Sequence, residues 1–142
     1  MPGSFSMKVS VDANILFACL VRNSETRRLW FNSDFSLYAP QFIIYEFLNH
    51  QKEMLGKSRN TPAEFEELLE KVLVQLTLVS DEELKPYILP VSTLGVEEKD
   101  WVYFACALKE NSILWSQDAE FKKQKRIIVK NTKELLEEFG GI

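Results

Sequence analysis

Hydrophobic positions along the chain alternate between short continuous runs and stretches with the spacing of one helical face. Residues 8–11 form a β-prone run closed by Asp12, and the apolar stretch 15–21 follows at once. Asn23 or Ser24 is placed to cap a short helix through Trp30 and Phe31. Residues 37–39 predict a second strand, closed by Pro40, ahead of a helix carrying Ile44, Phe47 and Leu48. The polar segment 52–60, with Gly56 at its centre, reads as a connection between two helices. Thr61, Pro62 and Glu64 then give a cap, a proline at the first helical position and an acid able to close a capping box. Behind them Phe65, Leu68, Leu69, Val72, Leu73 and Leu76 recur on one face.

Residues 77–79 predict a third strand. Ser80 and Glu83 supply a second capping box, opening a short helix that ends in the Pro86 to Pro90 region. Residues 97–108 predict a helix apolar on most sides, hence buried, with its acids in the first turn. Residues 113–115 read as a strand, a short helix follows Asp118, and residues 127–129 read as the last strand. Asn131 or Thr132 caps a final helix that ends at Gly140. Short apolar strands separated by helices call for a parallel sheet covered on both faces. The expected fold is a three-layer α/β/α domain with a central parallel sheet.

Composition narrows the functional classes. The 142 residues are 46% hydrophobic and 12% aromatic, which excludes a disordered chain. No uncharged apolar run approaches the ~20 residues needed to span a bilayer, so no membrane partner is expected. Seventeen Lys and Arg against 21 Asp and Glu leave a net charge of −4, the wrong sign for a general DNA-coating protein. Cys19 and Cys106 sit in apolar segments without metal-site spacing and read as buried thiols in a reducing compartment. With no signal-peptide pattern at the start, a cytoplasmic location is expected. Residues 1–6 read as a cloning scar or disordered N-terminus, and residues 7–142 as one domain.

Ligands of open α/β sheets bind beyond the carboxyl ends of the strands, where the strand order reverses. Asp12 follows the first strand and Asp118 the fourth. Asp100 lies in the opening turn of the buried helix, and Glu46 interrupts the apolar run 42–48. Each has an ordinary role available, as a helix cap, a dipole partner or a solvated acid. If the first and fourth strands are neighbours, however, the four carboxylates converge on one cleft and repel unless protons or cations intervene. Oxygen donors without His or Cys suit Mg²⁺ or Mn²⁺. An ion held that way lowers the pKa of an attacking water and stabilises charge on a scissile phosphate.

The segments VDANIL, QFIIYEFLNH, EEKDWVYFACAL and ILWSQDAEF, in this order and placement, resemble the PIN-domain family of metal-dependent ribonucleases. The resemblance covers residues 7–139, and the size is closest to small prokaryotic members, including VapC-type toxins of toxin–antitoxin pairs. It implies that Asp12, Glu46, Asp100 and Asp118 are the catalytic, metal-binding acids, with Mg²⁺ or Mn²⁺ as cofactor. It places the family's Ser/Thr at Ser116, bonded to a carboxylate or to metal-bound water, and a further acid at Glu120. Asn14 matches a frequent family Asn, whose expected job is to tie down the turn through side-chain-to-backbone bonds. Gln117 stands where many members carry Gly or a basic residue, which bears on how the loop meets RNA. An RNA substrate, a homodimer and an antitoxin protein are the implied partners, with the helical arm around residues 52–76 as a place for the protein contacts.

Other residues divide between chemistry and architecture. Lys122, Lys123, Lys125 and Arg126 follow Asp118 closely and are expected to steer phosphates. Arg22, Arg27 and Arg28 are second candidates from the far side of the first motif. His50 lies one turn beyond Glu46 and is set aside as a surface or capping residue. Trp101 and Trp115 are assigned to packing. The function expected is metal-dependent endoribonuclease, with a catalytically inactive PIN-like RNA- or protein-binding module as the alternative. A phospho-accepting receiver domain fits poorly: Ala13 follows Asp12 where an acidic pair is needed, although Lys130 does follow the last strand.

Overall fold

The computed structural model describes residues 6–21 and 24–139, without the side chain of Ser24. Arg22, the Asn23 or Ser24 cap, the end of the last helix at Gly140 and most of the segment 1–6 lie outside what is described. The elements run β1 (Met7–Val11), α1 (Ala13–Val21), α2 (Ser24–Trp30), β2 (Phe35–Pro40), α3 (Phe42–Ser58), α4 (Pro62–Val74), β3 (Leu76–Val79) and α5 (Asp81–Ser92). They continue through a 3-10 turn (Glu98–Asp100), α6 (Trp101–Glu110), β4 (Ile113–Trp115), a second 3-10 turn (Ala119–Lys123), β5 (Val129–Lys130) and α7 (Thr132–Phe139).

All strand pairings are parallel, in the order β3-β2-β1-β4-β5. The chain therefore builds outward from β1 on one side and then crosses over to β4 on the other. The order reverses between β1 and β4, and the Asp12 amide donates to the Trp115 carbonyl at that seam (3.4 Å). α6 covers β1, β2 and β4, with α5 packed against it. α1 packs against α2, α3 and α4, and α2 against α7, to form the opposite layer. The core is filled by fully buried residues such as Trp30, Trp115, Phe104, Ile15 and Leu114. Trp30 and Trp115 bury their rings 6.3 Å apart and satisfy their indole donors on the Val72 carbonyl and the Thr132 hydroxyl. No helix among the described residues is long and apolar enough to cross a membrane.

The capping boxes of α4 and α5 form reciprocally, on Thr61 with Glu64 and Ser80 with Glu83. A third forms on Asn131 and Glu134 at α7 (2.8 and 2.9 Å). Several expected boundaries need correction. Residues 52–58 are not a connector but the last two turns of α3; no proline interrupts them, and Met54 and Ser58 are buried. α5 runs through Pro86 and Pro90 instead of ending there, because Leu84 and Val91 anchor both halves in the core. Leu76 belongs to β3, paired with Leu37, not to the α4 stripe. The last strand starts at Val129, since the buried Gln124 side chain occupies the amides of Arg126 and Ile127 and the carbonyl of Ile127.

Candidate active site

The first acid is placed by the end of β1. Asp12 is 5% exposed, and its Oδ1 accepts from the Ile15 amide (3.1 Å), so it caps α1. The Ser116 hydroxyl acts on the same carboxylate, lowering its pKa, and it accepts from the Asp118 amide (3.1 Å). One buried hydroxyl thus ties the β1 acid to the loop after β4. Asp118 caps in its own way, accepting from the Glu120 amide at 2.9 Å, while remaining exposed. Both ordinary roles foreseen for these acids are real. Neither excludes a second use, because a carboxylate carries lone pairs beyond those a single amide engages.

Asp100 departs from the expected picture. The predicted helix over 97–108 is broken: Glu98–Asp100 is a 3-10 turn and α6 starts at Trp101. Asp100 occupies the N-cap position of α6 without making a side-chain cap bond. Its carboxylate is instead half-buried in the cleft. The loop that delivers it turns at Gly95, whose φ of +85° is a conformation that residues with a Cβ rarely adopt. Glu46 comes from α3 and accepts the Tyr103 hydroxyl of α6.

Asp12, Glu46, Asp100 and Asp118 line one cleft of about 360 Å³, beyond the carboxyl ends of β1 and β4. Burial first, and then the charges of Asp100 and Asp118, push the Asp12 carboxyl up to about 6, against hydrogen bonds from Ser116 and Ile15 that pull it down. Asp100 is also raised, by burial, with Glu97, Asp118 and Glu46 adding to it and Lys99 opposing it. Among the described residues no three His, Cys, Asp or Glu side chains already stand together as a ligand shell. The donor set is nonetheless all oxygen, and neighbouring acids raise the cost of ionising Asp12 and Asp100. Oxygen donors are the ligands hard divalent cations take, and a cation bound there would favour the ionised forms of Asp12 and Asp100.

The remaining predicted residues separate. Asn14 lines the cleft and is exposed. Glu120 and Lys123 line an adjoining groove shared with Asp100 and Asp118, and pair with each other at 2.8 Å. Lys122 faces α7 through Glu134, and the Lys125 ammonium donates to the Lys122 carbonyl (3.2 Å). Arg126 lines a different cavity, beside Asn111 and Ile113 where β4 begins, at the end of the sheet away from the acids. The basic run is therefore not one patch, because the 3-10 turn fans its side chains apart. Arg27 spends its guanidinium on the Cys19 carbonyl of α1 (2.9 and 2.7 Å). Gln117 accepts from the Thr132 amide (2.7 Å) and so ties the loop to the start of α7. Both cysteines are free and buried.

Sequence reasoning missed Tyr103, Glu97, Lys99 and Phe42, which all line the cleft. Tyr103 was legible in principle: it lies three residues beyond Asp100 on a helix, and a buried tyrosine hydroxyl needs a partner. His50 also lines the cleft; its Nδ1 lies 3.0 Å from the Glu46 carbonyl and its ring 5.4 Å from that of Phe17.

A parallel sheet with acids gathered where its strand order reverses defines a class of α/β domain built around an anionic cleft. The PIN-domain family model matches residues 10–139, and the chain belongs to that family. Among solved structures, the chain is similar to PAE2754 from Pyrobaculum aerophilum, at 22% identity and a TM-score of 0.67 over 99% of this chain and 94% of that one. It is similar to VapBC2 from Rickettsia felis, solved with a DNA fragment from its promoter, at 16% identity and a TM-score of 0.64 over 88% and 98%. A toxin–antitoxin complex from Klebsiella pneumoniae aligns at 10% identity and a TM-score of 0.58 over 79% and 88%. At these identities the likeness is one of fold. No curated protein matches the sequence.

Proposed function

We propose that the chain is a divalent-metal-dependent endoribonuclease and the toxin of a toxin–antitoxin pair. The observation that carries this reading is the gathering of Asp12, Glu46, Asp100 and Asp118 on one cleft at the β1–β4 seam. These four residues would hold Mg²⁺ or Mn²⁺. A bound ion of this kind supplies a water of lowered pKa and counter-charge for the scissile phosphate.

The chain's own side chains do the rest. Ser116 orients Asp12, and Tyr103 orients Glu46. Phe17 and Phe121 line the cleft with apolar surface, which strengthens every charge interaction inside it. Lys99 and Lys123 stand at the rim, where they draw phosphates toward an otherwise acidic molecule. Toxin–antitoxin assemblies among the similar folds support an antitoxin partner, and a homodimer is proposed with it.

The test is cleavage of single-stranded RNA in Mn²⁺, with and without EDTA, beside Asp12→Asn. Cutting by the wild type that EDTA and the substitution both abolish is the expected result. RNA that stays intact but bound would replace this reading with a binding module. Equal cutting by Asp12→Asn would trace the activity to another protein.

A further inference from the structure

α3 starts directly beyond the carboxyl end of β2, so its first turn forms the β2 side of the acid cleft. Phe42, its first residue, lines the cleft together with Asp12 and Glu46. Tyr45 lies one turn on, and its ring stacks on that of Phe42 at 5.6 Å between centroids and 29° between planes. The pair points outward: Phe42 is 38% exposed and Tyr45 60%. Two rings already stacked, and open to solvent at the lip of the cleft, offer a face for a third planar ring.

We propose that Phe42 and Tyr45 are a stacking platform for one unpaired base of the strand whose phosphate enters the cleft. This inference rests on the nuclease reading for its choice of ligand. An acidic protein whose cleft holds four carboxylates repels a polyanion, so it gains most from an anchor that does not depend on charge. Base–aromatic stacking is such an anchor and tolerates any base. It also selects the substrate class. In an A-form duplex the base faces are hidden within the helix, whereas loops and single strands can splay a base onto an aromatic ring. Lys123 sits in the groove on the β4 side, so the strand crosses the carboxyl edge of the sheet, base on β2's side and flanking phosphates toward β4. Leu48 continues the apolar stripe at 58% exposure and gives the test its rival, a second copy of the chain.

The probe is a single-stranded RNA oligonucleotide carrying 2-aminopurine, in low salt with EDTA, beside the same sequence as a duplex. Wild type should quench the fluorophore and bind the single strand more tightly than the duplex. Tyr45→Leu should lose the quench and weaken single-strand binding about tenfold, while Tyr45→Trp keeps both. In Mn²⁺, Tyr45→Leu should raise KM and leave kcat within about twofold. Cleavage by wild type without a quench, or equal behaviour of the Leu variant, overturns the platform and leaves the nuclease standing. A quench without cleavage in Mn²⁺ removes the nuclease and leaves the platform. A wild-type dimer by light scattering that Tyr45→Leu converts to monomer also overturns it, since the stripe then belongs to a protein interface.

Discussion

The Tyr103 hydroxyl donates to the Glu46 carboxylate, joining α6 to α3 across the cleft. Burial and the neighbouring acids push the phenol well above its ordinary pKa, so it remains a donor throughout the working range. One Glu46 oxygen accepts this bond, and the other is the one the proposed cation would use.

Tyr103→Phe keeps the ring in the core and deletes only the donor. Divalent binding should weaken by about 10-fold or more, the usual cost of removing a partner behind a metal ligand. Stability should fall by only about 1 kcal/mol, because Glu46 is half-buried and water can reach it. Mn²⁺ calorimetry and urea denaturation on the same samples read the two effects separately. A large loss of stability with unchanged affinity would assign Tyr103 to packing alone.

Asp12 makes stability depend on pH. Its folded-state pKa of about 6 lies above its ordinary 3.8, so the folded protein binds the proton more tightly than the unfolded chain does. Without metal, stability should therefore decline as pH rises from about 4 to about 6, by about 3 kcal/mol in full, and stay low above that. Asp12→Asn keeps an acceptor for the Ile15 amide and removes the charge. It should flatten this slope and raise the Tm at pH 7.5 by about 5 °C or more. Thermal melts in EDTA across pH 4 to 8 check it; a slope that survives in the variant would place the titrating group elsewhere.

Gln117 is a structural tie in the structure, not only a variable position of the loop. Gln117→Ala leaves the Thr132 amide without its acceptor and should cost about 1 kcal/mol. The loop carrying Ser116 and Asp118 loses a support at the same time. Hydrogen exchange at the start of α7 should accelerate in the variant, and unchanged protection there would show that the Asn131–Glu134 box suffices.

The fold was legible where local signals were strong. The capping residues of α4 and α5 and the run 113–115 wrote their own boundaries, because side-chain caps and continuous apolar strands need no tertiary knowledge. Pro86 and Pro90 misled for the opposite reason. Each removes a backbone donor, a local cost that burial of Leu84 and Val91 offsets from outside the segment. Gln124 shortened β5 through side-chain bonds that no periodicity reveals. Of the site, Asp12 and Asp118 stood out as charges at strand ends, Asp100 as an acid in a helix's opening turn and Glu46 as a charge within an apolar run. Their meeting on one cleft depended on β1 lying beside β4, a long-range pairing. The Ser116 relay and the Tyr103–Glu46 bond join residues 104 and 57 apart respectively along the chain, so only the folded arrangement exposes them. The basic run illustrates the converse: adjacency in sequence did not place Arg126 near the acids.

The most direct check on a shared cation is a Mn²⁺ binding isotherm of the RNA-free protein, taken for wild type, Asp12→Asn and Asp118→Asn at pH 7.5. Saturable binding by wild type, weakened about tenfold or more by either substitution, is the predicted result. An isotherm without saturable uptake, or one that both variants reproduce unchanged, would contradict it.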